Sequence, residues 1–499
     1  MLIGRTGAFP TDRAPSCRYS RLVSPRRRAF PWLGWLALVA YGVALCASAP
    51  PWPDDWDGVG FVESVHDFDL ANFRPHAPGY PVYVALLRVA NLVARDPMRA
   101  CVVVAACSGV LAIGLVWLTV RRLAGAWAAW TVAGTVAVLP IVWRAFSGVG
   151  SEGPAFACGA ACAWGLAIPR GERSPAWKHA VALGLGVGLG LGVRLSWAPL
   201  FLAALALAPS GQRSRTWATA AAACLAWAVP LVAVVGASQL AQIAGTHLLG
   251  HVERWGGTAA TQPGAVRLVW LLRDVFVDGF GAGPGPLGWA IGLLVAAAIV
   301  AALVAWGMSG WPDWRAALAV SAPYLAWVAI GQNVRDQPRH VLPLVAMLGA
   351  AVALRAARSP RALGIVCALV LLVSMRTARD VLARRSIPPA GEQLVELARE
   401  QPPSARPAVF GVASVRFFEL SELAKNAFAA ASLGDVAVQV ARLDRLPPRV
   451  WVTSEVERLG DAQWPLVRVA TVCRPPRLDR RAPCLDIDEW ILPGLPRQP

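Results

Sequence analysis

"FPWLGWLALVAYGVALCASAPPWPDDWD", residues 30–57, is an unbroken apolar run that ends abruptly in three carboxylates. Its apolar part has the length of roughly 20 residues that an α-helix needs to cross the hydrocarbon core of a bilayer. Comparable runs follow at 98–120, 124–143, 153–168, 179–193, 196–208, 217–236, 284–308, 316–331, 340–357 and 361–377. Of the 499 residues, 56% are hydrophobic and 15% charged, and the mean hydropathy is +0.50. That is more apolar surface than a soluble core can hide, so the expected fold is an all-α polytopic membrane protein of about 11 helices.

The formal net charge of +17 would point a soluble protein towards nucleic acid. Here orientation accounts for it, and no nucleic-acid partner is expected. Arg26, Arg27 and Arg28 precede the first run and place the N-terminus in the cytoplasm. The run is long and "PPWPDDWD" (50–57) lacks a small-residue cleavage pattern, so the first helix is expected to remain uncleaved. Alternating the runs then delivers Arg121 and Arg122, "PRGERSPAWK" (169–178), "SGQRSRTW" (210–217) and "RAARSPR" (355–361) to the cytoplasmic side. An odd number of crossings sends the tail outside.

Three parts result: a basic cytoplasmic leader (1–29), a transmembrane domain (30–378) with a first outer loop at 50–97, and an outer-face domain (379–499). The tail holds fifteen of the thirty acids. Strand-like "PAVFGVA", "RVWVTSE", "PLVRVATV" and "CLDIDEWIL" alternate there with helix-like "GEQLVELAREQ" and "FFELSELAKNAFAAASL", which predicts a small α/β domain. Cys473 and Cys484 bound "CRPPRLDRRAPC", a loop that an oxidising compartment would close as a disulfide and a reducing one would leave as two thiols. Gly184, Gly186, Gly188, Gly190 and Gly192 alternate within an apolar run without the Lys-Ser/Thr of a phosphate loop, so they predict close helix packing.

Chemistry is concentrated in the first outer loop. Asp54, Asp55, Asp57, Glu63, Asp67 and Asp69 fall within residues 54–69, whereas residues 70–378 hold only eight acids. Most of those eight, and five of the six histidines, fall on the outer side, as a polar site opening at one membrane face requires. After the acids comes "RPHAPGYPVY" (74–83), whose prolines fix a turn before an amphipathic helix, "VYVALLRVANLVA" (82–94), suited to lying along the membrane surface. In "THLLGHVERWGG" (246–257), His247 and His251 share a helical face but lack the metalloprotease Glu, which leaves a divalent metal open without naming a ligand set. No cofactor is otherwise called for.

"WDGVGFVESVHDFDLANFRPHAPGYPVY" (56–83) resembles the first outer loop of bacterial GT-C glycosyltransferases. The group in question uses polyprenyl-phosphate sugars and is related to the protein O-mannosyltransferases and aminoarabinose transferases, glycosyltransferase family 39-like. Asp57 takes the Asp position of that family and "PHAPGYP" (75–81) its turn, with Ala77 where Pro is common. "VWRAFSGVGSEGPAFA" (142–157) is similar to the second outer loop, with Glu152 ahead of the fourth helix, and "NVRDQPRHVLP" (333–343) to a late outer loop. The likeness runs over about residues 30–345.

The resemblance implies transfer of a sugar from a polyprenyl-phosphate donor to an acceptor hydroxyl outside the cytoplasm, with inversion, in a bacterial-type inner (plasma) membrane. Partners are then the lipid-linked donor, membrane lipid, and an acceptor that is lipid, glycan or protein. Asp57 is the expected base, with Asp55 and Glu63 behind it. Arg144, Arg194, Arg339 and His340 are candidates for the donor phosphate, with His76 and Glu152 contacting substrate. A transporter or flippase of lipid-linked glycans, and a glycan polymerase or ligase, are the rival readings; the first would require broken helices in two halves and charges at mid-membrane.

Overall fold

The computed structural model describes residues 31–167, 176–249, 257–262, 264–283, 285–308, 313–335, 337–443, 447–457, 465–475, 478 and 484–491. The basic leader and the His251 and Glu253 positions lie outside these residues.

The helices follow one another as α1 (Pro31–Ser48), α2 (Trp56–Ser64), α3 (Pro81–Ala94), α4 (Pro97–Ala124), α5 (Ala126–Val138), α6 (Pro140–Ser147), α7 (Glu152–Leu166), α8 (Ala176–Val193), α9 (Ala198–Ala206) and α10 (Arg213–Val235). They continue as α11 (Ala237–Leu249), α12 (Gly264–Leu272), α13 (Pro286–Met308), α14 (Asp313–Ile330), α15 (Leu342–Ala356), α16 (Pro360–Ser386), α17 (Ala390–Arg399) and, between strands of the tail, α18 (Leu433–Ala441).

Every expected apolar run is helical, yet among the described residues only six helices are long and apolar enough to cross a membrane, seven if the bent pair α5 and α6 counts as one span. The difference from 11 lies in length. At 1.5 Å per residue, the fifteen residues of α7 or the nine of α9 reach only part of the way across a bilayer. Pro140 breaks α5 from α6 by 69°, because it lacks the N–H that a continuous helix would use. The chain is an integral membrane protein with several apolar spans.

Glycine sets how closely the spans approach. A Cβ on Gly184 would lie 2.6 Å from Thr219 on α10, and one on Gly186 would lie 2.8 Å from the Cys158 carbonyl oxygen on α7. Alternate glycines of the ladder therefore face different neighbours, and α8 sits between α7 and α10 with backbones nearly in contact. Amphipathic α3 buries Tyr83, Val84 and Leu87 against the bundle and leaves Leu86, Val89, Leu92 and Val93 outward, a face suited to the bilayer interface.

The tail carries a five-stranded mixed sheet. β1 (Ala408–Gly411), β2 (Ala427–Ala429), β3 (Val450–Thr453), β4 (Leu466–Cys473) and β5 (Cys484–Trp490) lie in the order β2-β1-β3-β5-β4, with β1 parallel to both neighbours and β5 antiparallel to both of its own. "FFELSELAKNAFAAASL" corrects the helical expectation: it forms short 3-10 turns at Ser414–Leu420 and Ala424–Asn426 and then β2. Tertiary packing decides this, since Phe417, Phe418 and Leu423 fill the core and Phe428 pairs with Phe410 across the sheet.

The acidic helix α2 joins the two bodies of structure. Phe61 and Val62 pack into the bundle core, while Val59 packs with Leu394, Phe418 and Ile487 of the tail. Cys473 and Cys484 face each other across β4 and β5 and are disulfide-bonded.

Candidate active site

Asp55 starts α2 by accepting a hydrogen bond from the Gly58 backbone N–H at 2.9 Å, a side-chain N-cap. That cap places Asp57 in the first turn, where the helix dipole favours an anion, and Asp57 is buried. At Gly60 any side chain would collide with the Phe73 carbonyl, so the glycine lets the turn at 73–81 fold over α2.

Four distant segments meet at Asp57. Arg339, on the 3-10 turn Pro338–Val341 ahead of α15, donates to Asp57 Oδ2 at 2.5 Å and to Asp55 Oδ2 at 3.2 Å. Its Nε lies 3.9 Å from Glu152 Oε1 at the start of α7. Arg194, buried between α8 and α9, pairs with the same Glu152 oxygen at 3.1 Å and donates to Ser151 Oγ at 2.8 Å. His76 Nδ1 stands 3.6 Å from Asp57 Oδ1, and its Nε2 is 2.8 Å from the Tyr80 hydroxyl. Burial lowers the His76 pKa, and Arg339 and Arg194 add to the effect against Asp57, so the imidazole is neutral near pH 7.

A second cluster lies beside the first. Asp54 accepts from Arg384 at the end of α16, through Nη2 and through Nε at 3.3 Å, and from Arg474 Nη2 at 3.1 Å. Removal from water would raise the Asp54 carboxyl, but Arg384, Arg474 and Arg144 outweigh it and hold it well below the usual carboxylate range. Arg144 donates to the Leu478 carbonyl at 3.4 Å.

Both clusters open on one cavity of about 210 Å³, lined by Asp54, Asp55, Arg144, Glu152, Arg339 and Arg384 among others. Asp57 does not line it; the Arg339 side chain stands over that carboxylate. Of the residues singled out in the sequence, the structure brings Asp55, Asp57, His76, Glu152, Arg194 and Arg339 together, with Arg144 lining the same cavity.

Two do not join them. Glu63, grouped with Asp57 in the sequence reading, sits at the other end of α2, 3.3 Å from Arg74 and 3.2 Å from Arg416 of the tail. Asp57 and Glu63 lie near opposite ends of the nine-residue α2, and the tail claims the farther one through Arg416. His340 shares the turn with Arg339 but does not line the cavity; its carbonyl accepts from the Tyr324 hydroxyl at 2.7 Å. Sequence reasoning missed Arg384, Arg474 and Ser151, and gave Asp54 no role. Arg384 and Arg474 lie in no local motif, and only the tertiary fold brings them in, whereas Ser151 stands beside Glu152 in the 142–157 segment and Asp54 in the acidic stretch after α1.

Among the described residues no group of three His, Cys, Asp or Glu side chains gathers as a metal-ligand set. The carboxylates alternate with guanidinium groups, and Arg339 occupies the centre that a cation would take between Asp55, Asp57 and Glu152.

Residues 75–238 match the family model of dolichyl-phosphate-mannose-protein mannosyltransferases. Two solved structures share the fold. One is ArnT from Cupriavidus metallidurans bound to undecaprenyl phosphate, at 13% identity and a TM-score of 0.54, covering 94% of this chain and 100% of that one. The other is the apo oligosaccharyltransferase of Archaeoglobus fulgidus, at 14% identity and a TM-score of 0.50, covering 86% and 70%. No curated protein matches in sequence. The family match takes in the 142–157 loop and the 75–83 end of the first loop, while the fold shared with these two structures runs over most of the chain.

Proposed function

We propose that this GT-C-type membrane protein, whose residues 75–238 match the mannosyltransferase family model, transfers a sugar from a polyprenyl-phosphate donor to an acceptor hydroxyl on the extracytoplasmic face. The observation that carries the reading is the convergence of Asp57, Glu152, Arg194 and Arg339, from four separate segments, beside a polar cavity in an otherwise apolar bundle. Buried ionisable groups in a membrane protein are retained for function, and here cations and anions stand side by side as this reaction needs.

Asp57 takes the proton of the acceptor hydroxyl as its oxygen attacks the anomeric carbon. The bond from that carbon to the phosphate oxygen breaks, and the electron pair leaves on the polyprenyl phosphate. A single displacement of this kind inverts the configuration. Arg339 links the two halves of the reaction: it covers Asp57 in the free protein, and an arriving phosphate competes for the same guanidinium. Drawing Arg339 towards the donor uncovers Asp57 only when there is a donor to use. Arg144 and Arg384, which line the same cavity, receive the negative charge that develops on the leaving phosphate.

The basic residues Arg26, Arg27 and Arg28 ahead of α1 support a cytoplasmic N-terminus, and on this reading both the cavity and the tail lie outside, in a bacterial-type inner membrane. The Cys473–Cys484 bond supports that side for the tail, since disulfides persist in oxidising compartments. The test is transfer from undecaprenyl-phosphate sugars in membranes that express wild type or Asp57→Asn at equal levels. Full transfer by the variant would sink the assignment.

A further inference from the structure

Of the described residues after α16, Leu478 lines the cavity itself, and Arg474 stands behind the cavity wall, reaching it through Asp54. Arg474 follows Cys473 directly, at the point where β4 ends, and is fully buried. Three contacts fix it there. The Cys473–Cys484 bond ties β4 to β5, Gln393 on α17 donates to the Cys473 carbonyl at 3.0 Å, and Arg474 Nε donates to the Ile387 carbonyl at 3.2 Å in the link after α16. Its remaining reach is spent on Asp54 Oδ1.

That contact changes what Arg384 has to offer. Asp54 alone would neutralise Arg384, and the wall would carry no surplus charge. With Arg474 sharing the carboxylate, Arg144, Arg384 and Arg474 surround one aspartate, with Asp380 the other acid near Arg144. Arg384 Nη1 and Arg474 Nη1 are buried with no hydrogen-bond partner among the described residues. Buried guanidinium N–H groups left over in this way are a surplus of donors, which suits an oxyanion.

We infer that Arg474 is a positioning residue contributed by the tail: by taking up part of the Asp54 carboxylate, it leaves Arg384 and Arg144 available to hold the phosphate of a polyprenyl-phosphate ligand, and the Cys473–Cys484 bond keeps it in place. This rests on the polyprenyl-phosphate reading above.

The experiment compares the full-length protein in detergent as wild type, Arg474→Gln, Arg474→Lys and the double variant Cys473→Ser/Cys484→Ser. Undecaprenyl phosphate and undecaprenol are the probes, and binding is read from the ligand-induced shift in melting temperature across a titration. The expected result is that Arg474→Gln weakens undecaprenyl phosphate about tenfold, the scale of one charge-assisted hydrogen bond, while undecaprenol is unaffected. Lys restores part of the loss because it returns the charge, and the cysteine double variant, like wild type treated with dithiothreitol, falls between Gln and wild type. Unchanged phosphate affinity in Arg474→Gln, or an equal loss for both lipids, overturns the inference while leaving the donor reading intact. Failure of wild type to distinguish the two lipids overturns both.

Discussion

The two ends of α2 carry the same kind of side chain into opposite electrostatic settings. At its N-terminal end Asp54, Asp55 and Asp57 face Arg339, Arg384 and Arg474, with Arg144 also acting on Asp54 and Asp380 near Arg144. At its C-terminal end Glu63 faces Arg74 and Arg416 but shares them with Glu419, 3.2 Å from Arg416 and 3.6 Å from Arg74. Asp54 is accordingly held ionised, whereas burial and the neighbouring Glu419 raise Glu63 despite both arginines. The balance of cations to carboxylates sets the difference: three guanidinia act on Asp54, whereas Glu63 shares two with Glu419, and it is the N-terminal end that opens on the cavity.

The largest effect that would break this contrast is on turnover. Asp57→Asn is expected to lower kcat for sugar transfer by ~10²- to 10⁴-fold, the range for a positioned acid-base group, and Glu63→Gln to leave it within about twofold. Equal losses in the two variants, measured on protein of matched melting temperature, would mean that the whole helix acts as one unit.

Next in size is stability. Arg384→Gln removes a fully buried guanidinium from Asp54 and is expected to destabilise the protein by about 3 kcal/mol, the lower end for breaking a buried pair. Arg416→Gln leaves Glu63 still paired with Arg74 and is expected to lose about 1 kcal/mol. Thermal melts of the two variants in the same detergent test the ranking. Reversal would show that the tail junction, not the cavity, holds the more tightly coupled charges.

Val59→Ala probes the mechanical side of the same helix. Val59 is fully buried against Leu394, Phe418 and Ile487, so losing two methyl groups is expected to weaken the tail's hold on α2 by about 1.5 kcal/mol. Faster proteolysis of the tail, with the membrane region intact, is the measurement. An unchanged cleavage rate would place the junction's strength in the Arg416 contacts instead.

How far these contrasts could be read in the sequence depends on distance along the chain. Asp57, the turn at 75–81, Glu152 and Arg339 lie in short segments with local character, so their family likeness was visible before any fold was known. Arg384 and Arg474 are 330 and 420 residues from the aspartate they share, in stretches with no motif, and only the docking of α16 and β4 unites them with it. Glu63 lies away from the cavity, beside Arg74 and Arg416, because nearness in sequence to Asp57 says nothing about which end of α2 faces the cavity. The span count failed for a similar reason, since hydropathy marks apolar helices but not whether each is long enough to cross. In the tail the strand patterns were legible, whereas Phe417 and Phe418 looked helical until the sheet core claimed them.

The smallest expected effect concerns slope with pH. Because the folded state binds the Glu63 proton more tightly than the unfolded chain, stability from this group is full below the ordinary Glu pKa and is lost as pH rises towards the raised value. Asp54 acts in the opposite sense: its contribution is full above the ordinary Asp pKa and is lost only as pH falls through the depressed one. From about pH 5 towards neutrality, Asp54 is therefore constant and Glu63 adds a falling term, as does Glu392, which burial also raises, while the lowered His76 adds a rising one. Glu63→Gln should flatten the melting temperature over that window relative to wild type, and Asp54→Asn should shift the whole curve down without changing its slope there. A slope that survives unchanged in Glu63→Gln would take the pH dependence away from the C-terminal end of α2 and break the contrast.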